Sequence, residues 1–295
     1  MKEKTVNIET LSAAAGGTVS LGGEITVNRL GFGAMRLTGK GIWGPPKNRA
    51  TAIAVLRRAV ALGVNFIDTA DSYGPHVNEE LIAEALAPYP KDLVIATKGG
   101  WNRPGPNQWT HDASPAHLRQ AVEGSLKRLR LQRIDVYQLH VPDPVVPLDA
   151  SIETLANMQS EGKIRLVGLS NVTVEHIERA RKIVPIVSVQ NRYSFADREW
   201  DNVVDYCQHN GIAFIPWFPL GAGTVAGRLL ERIAETRRVK PIQVALAWLL
   251  KRSPVILPIP GTSSIAHLEE NVQTASLELT EQEYRELNGV AALAS

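Results

Sequence analysis

Short apolar runs alternate with longer amphipathic stretches along almost the whole chain. Candidate strands begin near Leu30, Phe66, Val94, Val136, Leu166, Val187, Ala213 and Val255, which makes eight. They are rich in β-branched residues and apolar on both faces, as strands of a covered parallel sheet must be. Between them, apolar residues recur at helical spacing over 50–62, 77–86, 115–129, 150–160, 174–183, 200–210, 241–252 and 265–275. Ser114-Pro115 and Pro241 suit first helical turns, and Gly63, Gly162 and Gly211 fall where helices end. Ahead of the first unit, Thr18–Leu21 and Ile25–Val27 flank Gly22-Gly23, the pattern of a small hairpin. After the last unit, Thr280 and Glu283 have capping-box spacing and predict one extra C-terminal helix. Residues 1–17 are polar, then Ala/Gly-rich, and are expected to be loosely ordered. Residues 18–295 read as a single domain.

Strict β–α alternation implies a parallel sheet, either open or closed. An open dinucleotide-binding sheet would carry G-x-G-x-x-G after its first strand. Gly31-Phe32-Gly33-Ala34-Met35-Arg36 begins that pattern but has Arg36 at the third glycine. Closure is therefore favoured, and the expected fold is an α/β (β/α)8 TIM barrel with an N-terminal β-hairpin and an extra C-terminal helix. The length of 295 residues suits one such barrel.

Four polar side chains stand at or just beyond the C-terminal ends of these runs. Asp68 and Tyr73 lie in N-F-I-D-T-A-D-S-Y-G, Lys98 in L-V-I-A-T-K-G-G, and His140 in D-V-Y-Q-L-H. Strand ends of a barrel converge on one mouth. An acid, a phenol, an amine and an imidazole gathered there form a proton-transfer set. Lys98 is expected to lower the pKa of Tyr73, Asp68 to balance Lys98, and His140 to orient a substrate oxygen. Trp43, Trp101 and Trp109 fall in Pro/Gly-rich loops on the same side and are candidate substrate-pocket residues.

Composition narrows the classes. A net charge of +2 advertises no nucleic-acid or anionic-membrane face. No apolar run reaches the ~20 residues of a membrane span, and the N-terminal stretch lacks the apolar core of a signal peptide. The seven histidines are scattered without metal-ligand spacing, so no metal is expected. The single cysteine, Cys207, reads as packing. A cytoplasmic enzyme is the expectation.

D-T-A-D-S-Y-G, I-A-T-K and Y-Q-L-H-V-P-D, in that order, resemble the signatures of the aldo-keto reductase family. The resemblance runs from about Leu30 to Asn271. It implies a (β/α)8 barrel that reduces aldehydes or ketones with NAD(P)H. Carried over, Tyr73 is the general acid/base, Lys98 and Asp68 tune it, and His140 orients the carbonyl. Ser170, Asn171 and Gln190 resemble the residues that hold the nicotinamide carboxamide, and Trp217 stands where many relatives stack a tyrosine on that ring. Gly33, Ala34, Met35, Pro219, Leu220 and Gly221 would contribute to the same cofactor cleft. Gly261, Thr262 and Ser263 would meet its phosphate, while Glu270 and Asn271 would face adenine. NADP(H) is favoured on family grounds. However, Gly261–Asn271 holds no Lys or Arg, only His267, so NAD(H) is an alternative. The run from Gly221 to the next helix-like stretch is also shorter than the family's usual strap over the pyrophosphate. Outside this reading stand a Schiff-base aldolase using Lys98 and a non-catalytic dinucleotide-binding regulatory module.

Overall fold

The computed structural model describes residues 11–220 and 228–291. The chain opens on an antiparallel hairpin, β1 (Thr18–Leu21) and β2 (Ile25–Asn28). Seven parallel strands follow: β3 (Phe32–Gly33), β4 (Phe66–Asp68), β5 (Val94–Gly99), β8 (Ile134–Leu139), β9 (Ile164–Ser170), β10 (Ile186–Gln190) and β11 (Ala213–Phe214). They pair in that order from one edge to the other. The eighth position closes the ring without a regular ladder. Ile256 bridges Phe214 in parallel, Leu257 donates to the Phe214 carbonyl at 2.8 Å, and Gly31 donates to the Pro258 carbonyl at 2.9 Å. Pro258 and Pro260 have no N–H to offer, which keeps this stave irregular. The result is a (β/α)8 barrel.

Helices α1 (Arg49–Ala61), α2 (Val77–Leu86), α3 (Pro115–Leu129), α4 (Leu148–Ser160), α5 (Val174–Arg181), α6 (Asp201–His209), α7 (Arg228–Arg237), α8 (Pro241–Arg252) and α9 (Ile265–Gln273) surround it. The final helix, α10 (Glu281–Ala291), is capped as its sequence predicts. Thr280 Oγ1 accepts from Glu283 N–H, and the Glu283 carboxylate accepts from Thr280 N–H at 2.7 Å.

The hairpin seals the floor of the barrel. Val19, Leu21, Ile25 and Val27 form one buried cluster with Phe66, Val94, Val136, Leu166 and Val187, all near the N-terminal ends of their strands. Water is thus excluded from below, and the opposite end is left for chemistry.

Two expectations need correction. From Leu11 onward the N-terminal segment is ordered: Ser12 caps a short 3₁₀ turn, Ala13–Gly16, whose Ala13 is fully buried and donates to the Leu62 carbonyl. The stretch holding Trp101 and Trp109 is a second hairpin, β6 (Trp101–Gly105) with β7 (Gln108–His111). It rises between β5 and α3, beside the mouth.

Candidate active site

Parallel register carries the sequence-predicted side chains to one level. Asp68 ends β4, Ser170 ends β9, Gln190 ends β10, and Lys98 pairs with Gln138 near the end of β5. His140 directly follows β8. A cavity of about 1210 Å³ opens there. Asp68, Tyr73, His140, Ser170, Asn171, Gln190 and Trp217 line it. Gly33, Met35, Pro219, Leu220, Gly261, Thr262, Ser263, Trp101 and Trp109 line it too.

Lys98 lies beneath the cavity, fully buried. Its Nζ donates to Asp68 Oδ2 at 2.7 Å and to the Thr69 carbonyl at 2.8 Å. The same ammonium sits 5.3 Å from the Tyr73 ring centroid. Held this way, Lys98 offers no free amine to a substrate, which speaks against the Schiff-base alternative. Burial pulls its pKa down, while Asp68 holds it up.

The Tyr73 phenol departs from expectation. Burial pushes its pKa well up, Asp68 and Asp71 push it further, and only Arg103 pulls it down. Asp68 neutralises Lys98 at contact distance, so the lysine cannot lower the phenol as a lone ammonium would. Tyr73 therefore remains a protonated donor. The His140 pKa is held well below its usual value by burial, then by Lys98 and Arg103. The imidazole is therefore neutral at physiological pH. Its Nδ1 lies 3.5 Å from Ser72 Oγ, and its ring stands edge-on to Tyr73, centroids 5.8 Å apart.

Ser170, Asn171 and Gln190 form a linked polar set. Gln190 donates to Asp68 Oδ1 at 2.8 Å and to Gln138 Oε1 at 3.2 Å, which leaves its own Oε1 to accept. Asn171 takes a left-handed backbone, φ 57°. It donates to the His140 carbonyl and to Ser170 Oγ, and its Oδ1 accepts from the Trp217 indole at 3.0 Å. The Ser170 hydroxyl hydrogen stays available. One acceptor on Gln190 and one donor on Ser170 are what a carboxamide ligand requires.

Some predicted residues lie elsewhere. Trp43 does not line the cavity; it bridges Gly74 and packs 5.7 Å from the Arg103 guanidinium carbon. Ala34 is buried, its carbonyl accepting from Asn78. His267 is exposed on α9, Glu270 is ion-paired with Lys240, and Asn271 is buried at 5% exposure. None of these lines the cavity. Gly221 and the short run after it lie outside the described residues.

The sequence reading missed two basic residues. Arg36 and Lys40 line the cavity, and a Cβ on Gly261 would come within 3.5 Å of Arg36 Cγ. The signal was present but misassigned: Arg36 had served only to break a glycine pattern. No helix among the described residues is long and apolar enough to cross a membrane. None of their His, Cys, Asp and Glu side chains cluster as a metal site.

A profile described as the aldo/keto reductase family matches residues 29–292. Pyridoxine 4-dehydrogenase of Escherichia coli (strain K12) is 49% identical over 91% of this chain and 96% of its own length. An uncharacterised oxidoreductase of Schizosaccharomyces pombe is also 49% identical, over 97% of this chain and 93% of the relative. Among solved structures, the glycerol dehydrogenase of Gluconobacter oxydans superposes with a TM-score of 0.86 at 25% identity, covering 95% of this chain and 96% of that one. A Klebsiella pneumoniae aldo-keto reductase solved with NADPH gives 0.79 at 26% identity, covering 93% and 94%. These likenesses mark the chain as an oxidoreductase. The chain belongs to the aldo/keto reductase family.

A buried acid behind Tyr73 yields a stability prediction. Asp71 is 4% exposed. Burial, then Glu79, pushes its carboxyl up to about 8, against the opposing pull of Arg128. An unfolded Asp titrates at about 3.9. The folded state thus holds a proton that the unfolded state has lost, and the stability this supplies is complete below about pH 4 and lost as pH rises through about 8. Asp71→Asn should therefore gain stability relative to the parent between about pH 5 and about pH 9. Urea midpoints at the two pH values test this. A difference between variant and parent that is the same at both would refute it.

Proposed function

We propose that this protein reduces aldehyde or ketone carbonyls to alcohols, reversibly, with NADPH as preferred cofactor and Tyr73 as general acid/base. The observation that carries the reading is convergence. Tyr73, His140, Ser170, Asn171, Gln190 and Trp217 all face one cavity above the buried Lys98–Asp68 pair. The cofactor fits the donor set: Ser170 Oγ and Gln190 Oε1 would hold its carboxamide, and the Trp217 indole, fixed by Asn171, would lie against its ring. Arg36, beside Gly261 and so near the N-terminus of α9, supplies positive charge that 261–271 lacks, and Lys40 adds charge to the same cavity. When bound, the nicotinamide supplies the hydride. His140, neutral with Nδ1 toward Ser72, keeps its other ring nitrogen for the substrate oxygen, and Tyr73 Oη delivers a proton to that oxygen as it gains charge.

The substrate reading is a small aromatic aldehyde of the pyridoxal type. Trp101 and Trp109 line the cavity, and Trp101 lies tilted over His111 with centroids 4.3 Å apart, an aromatic wall that suits a flat ring. The name of the Escherichia coli relative points the same way, since reversing oxidation at position 4 of pyridoxine is reduction of a ring aldehyde. The test is the loss of reduced-cofactor absorbance with pyridoxal, benzaldehyde and glyceraldehyde, each with NADPH and with NADH. Higher kcat/KM for pyridoxal with NADPH is expected. No turnover of any aldehyde with either cofactor, alongside tight NADPH binding, would instead favour a regulatory binding module.

A further inference from the structure

Arg103 is a cation that the proton-transfer set does not use, and it sits at the junction of three mouth segments. Its Nε donates to the Gln108 carbonyl at 2.9 Å. One terminal nitrogen donates to the Ile42 carbonyl at 3.0 Å and the Ser72 carbonyl at 2.7 Å, and the other to the Gly41 carbonyl at 3.0 Å. All these acceptors are backbone oxygens; among the described residues no carboxylate pairs with it. Its guanidinium carbon lies 3.7 Å from the Trp109 ring centroid and 5.7 Å from that of Trp43.

These acceptors belong to segments already laced together. Asn107 N–H donates to the Gly41 carbonyl, and Gly74 N–H donates to the Ile42 carbonyl. Ser72 and Gly74 flank Tyr73, and Gln108 opens β7. A planar fork of five donors can serve several carbonyls at once, which a lysine ammonium cannot do with the same geometry.

We propose that Arg103 is a positioning residue for this reaction. One guanidinium pins the hairpin β6–β7 and the 39–44 loop to the backbone beside Tyr73, and so holds the aromatic substrate wall in register with the proton donor. The same cation faces Tyr73 together with Asp68, Asp71, Lys98 and His140. Arg103 opposes Asp68 there, joined by Asp71 once that acid ionises above about pH 8, because the Lys98 charge is already taken up by Asp68.

The proposal rests on the carbonyl-reductase reading, and two variants separate its fate from that reading. Arg103→Met should raise the aldehyde KM about tenfold or more, the loss of stacking and several charged hydrogen bonds, while NADPH affinity stays at the parental value. It should also shift the rising limb of alcohol oxidation, which needs the Tyr73 phenolate, upward by about half a pH unit. A loosened hairpin alone would lower that profile without moving it. Arg103→Lys keeps the charge and loses the fork, so the limb should stay near its parental position while KM rises. In the free protein, the near-ultraviolet circular dichroism of Trp101 and Trp109 should weaken in both variants. Parental KM and an unmoved limb in Arg103→Met would overturn the proposal. If that variant does not fold, parental KM and dichroism in Arg103→Lys would do the same. An active Tyr73→Phe would remove the acid/base reading yet leave the KM and dichroism comparisons intact.

Discussion

Tyr73→Phe should bind NADPH as the parent does and lose about 10²- to 10⁴-fold in kcat, the range that one positioned general acid contributes. The substitution removes only the hydroxyl. The ring keeps its edge-on packing against His140 and its place over Lys98, so the fold and cavity shape should persist. Tyr73 is 7% exposed and faces the cavity, and burial keeps its proton on at neutral pH. Asp68 also lines the wall but is ion-paired with Lys98, and the His140 ring is neutral, its proton best used to hold the substrate oxygen. Steady-state kinetics with an aldehyde, paired with a fluorescence titration of NADPH, reads both halves. Undiminished turnover would reject Tyr73 as the acid.

Lys98→Met should be the most destabilising single change at the site, costing about 3–5 kcal/mol, because it leaves an uncompensated buried carboxylate. The pair is 2.7 Å apart with side-chain exposures of 0% and 3%. Without the ammonium, Asp68 would keep only the Gln190 amide at 2.8 Å. Adding Asp68→Asn should recover part of the loss, since the penalty comes from the stranded charge more than from the missing contact. Urea unfolding of the parent, the two single variants and the double variant measures the coupling. A Lys98→Met protein within about 1 kcal/mol of the parent would show that water or a rearranged neighbour satisfies Asp68.

Elements with strong local signals were legible from the chain. Helices at 77–86, 115–129 and 241–252 have the bounds that periodicity and first-turn prolines imply. The C-terminal capping box was equally local. The strands that close the ring were harder. β3 and β11 have only two residues each, and the eighth stave is a bridge, because their pairing depends on neighbours far away in sequence. The hairpin β6–β7 was hidden because Pro104, Gly105 and Pro106 look like loop chemistry.

The site divides along the same line. That Asp68, Tyr73, Lys98 and His140 face one mouth follows from their places at strand ends, since parallel strands of a barrel put their C-terminal ends on one face. The direction of the Tyr73 shift was misread, because charge balance in a low-dielectric pocket is a sum over all neighbours, and Asp71 and Arg103 entered only on folding. Arg36 and Lys40 reached the cavity from the first βα loop, not from the segment after the eighth stave.

By itself, then, the sequence determined the alternation of strands and helices, the closed barrel it favours and the candidate side chains gathered at its strand ends, all of which rest on periodicity and local spacing. The tertiary structure alone decided which carbonyls gather around Arg103, how Asn171 locks Trp217, and which charges surround Tyr73. Those are distances between residues tens to hundreds of positions apart, and no one-dimensional pattern encodes them.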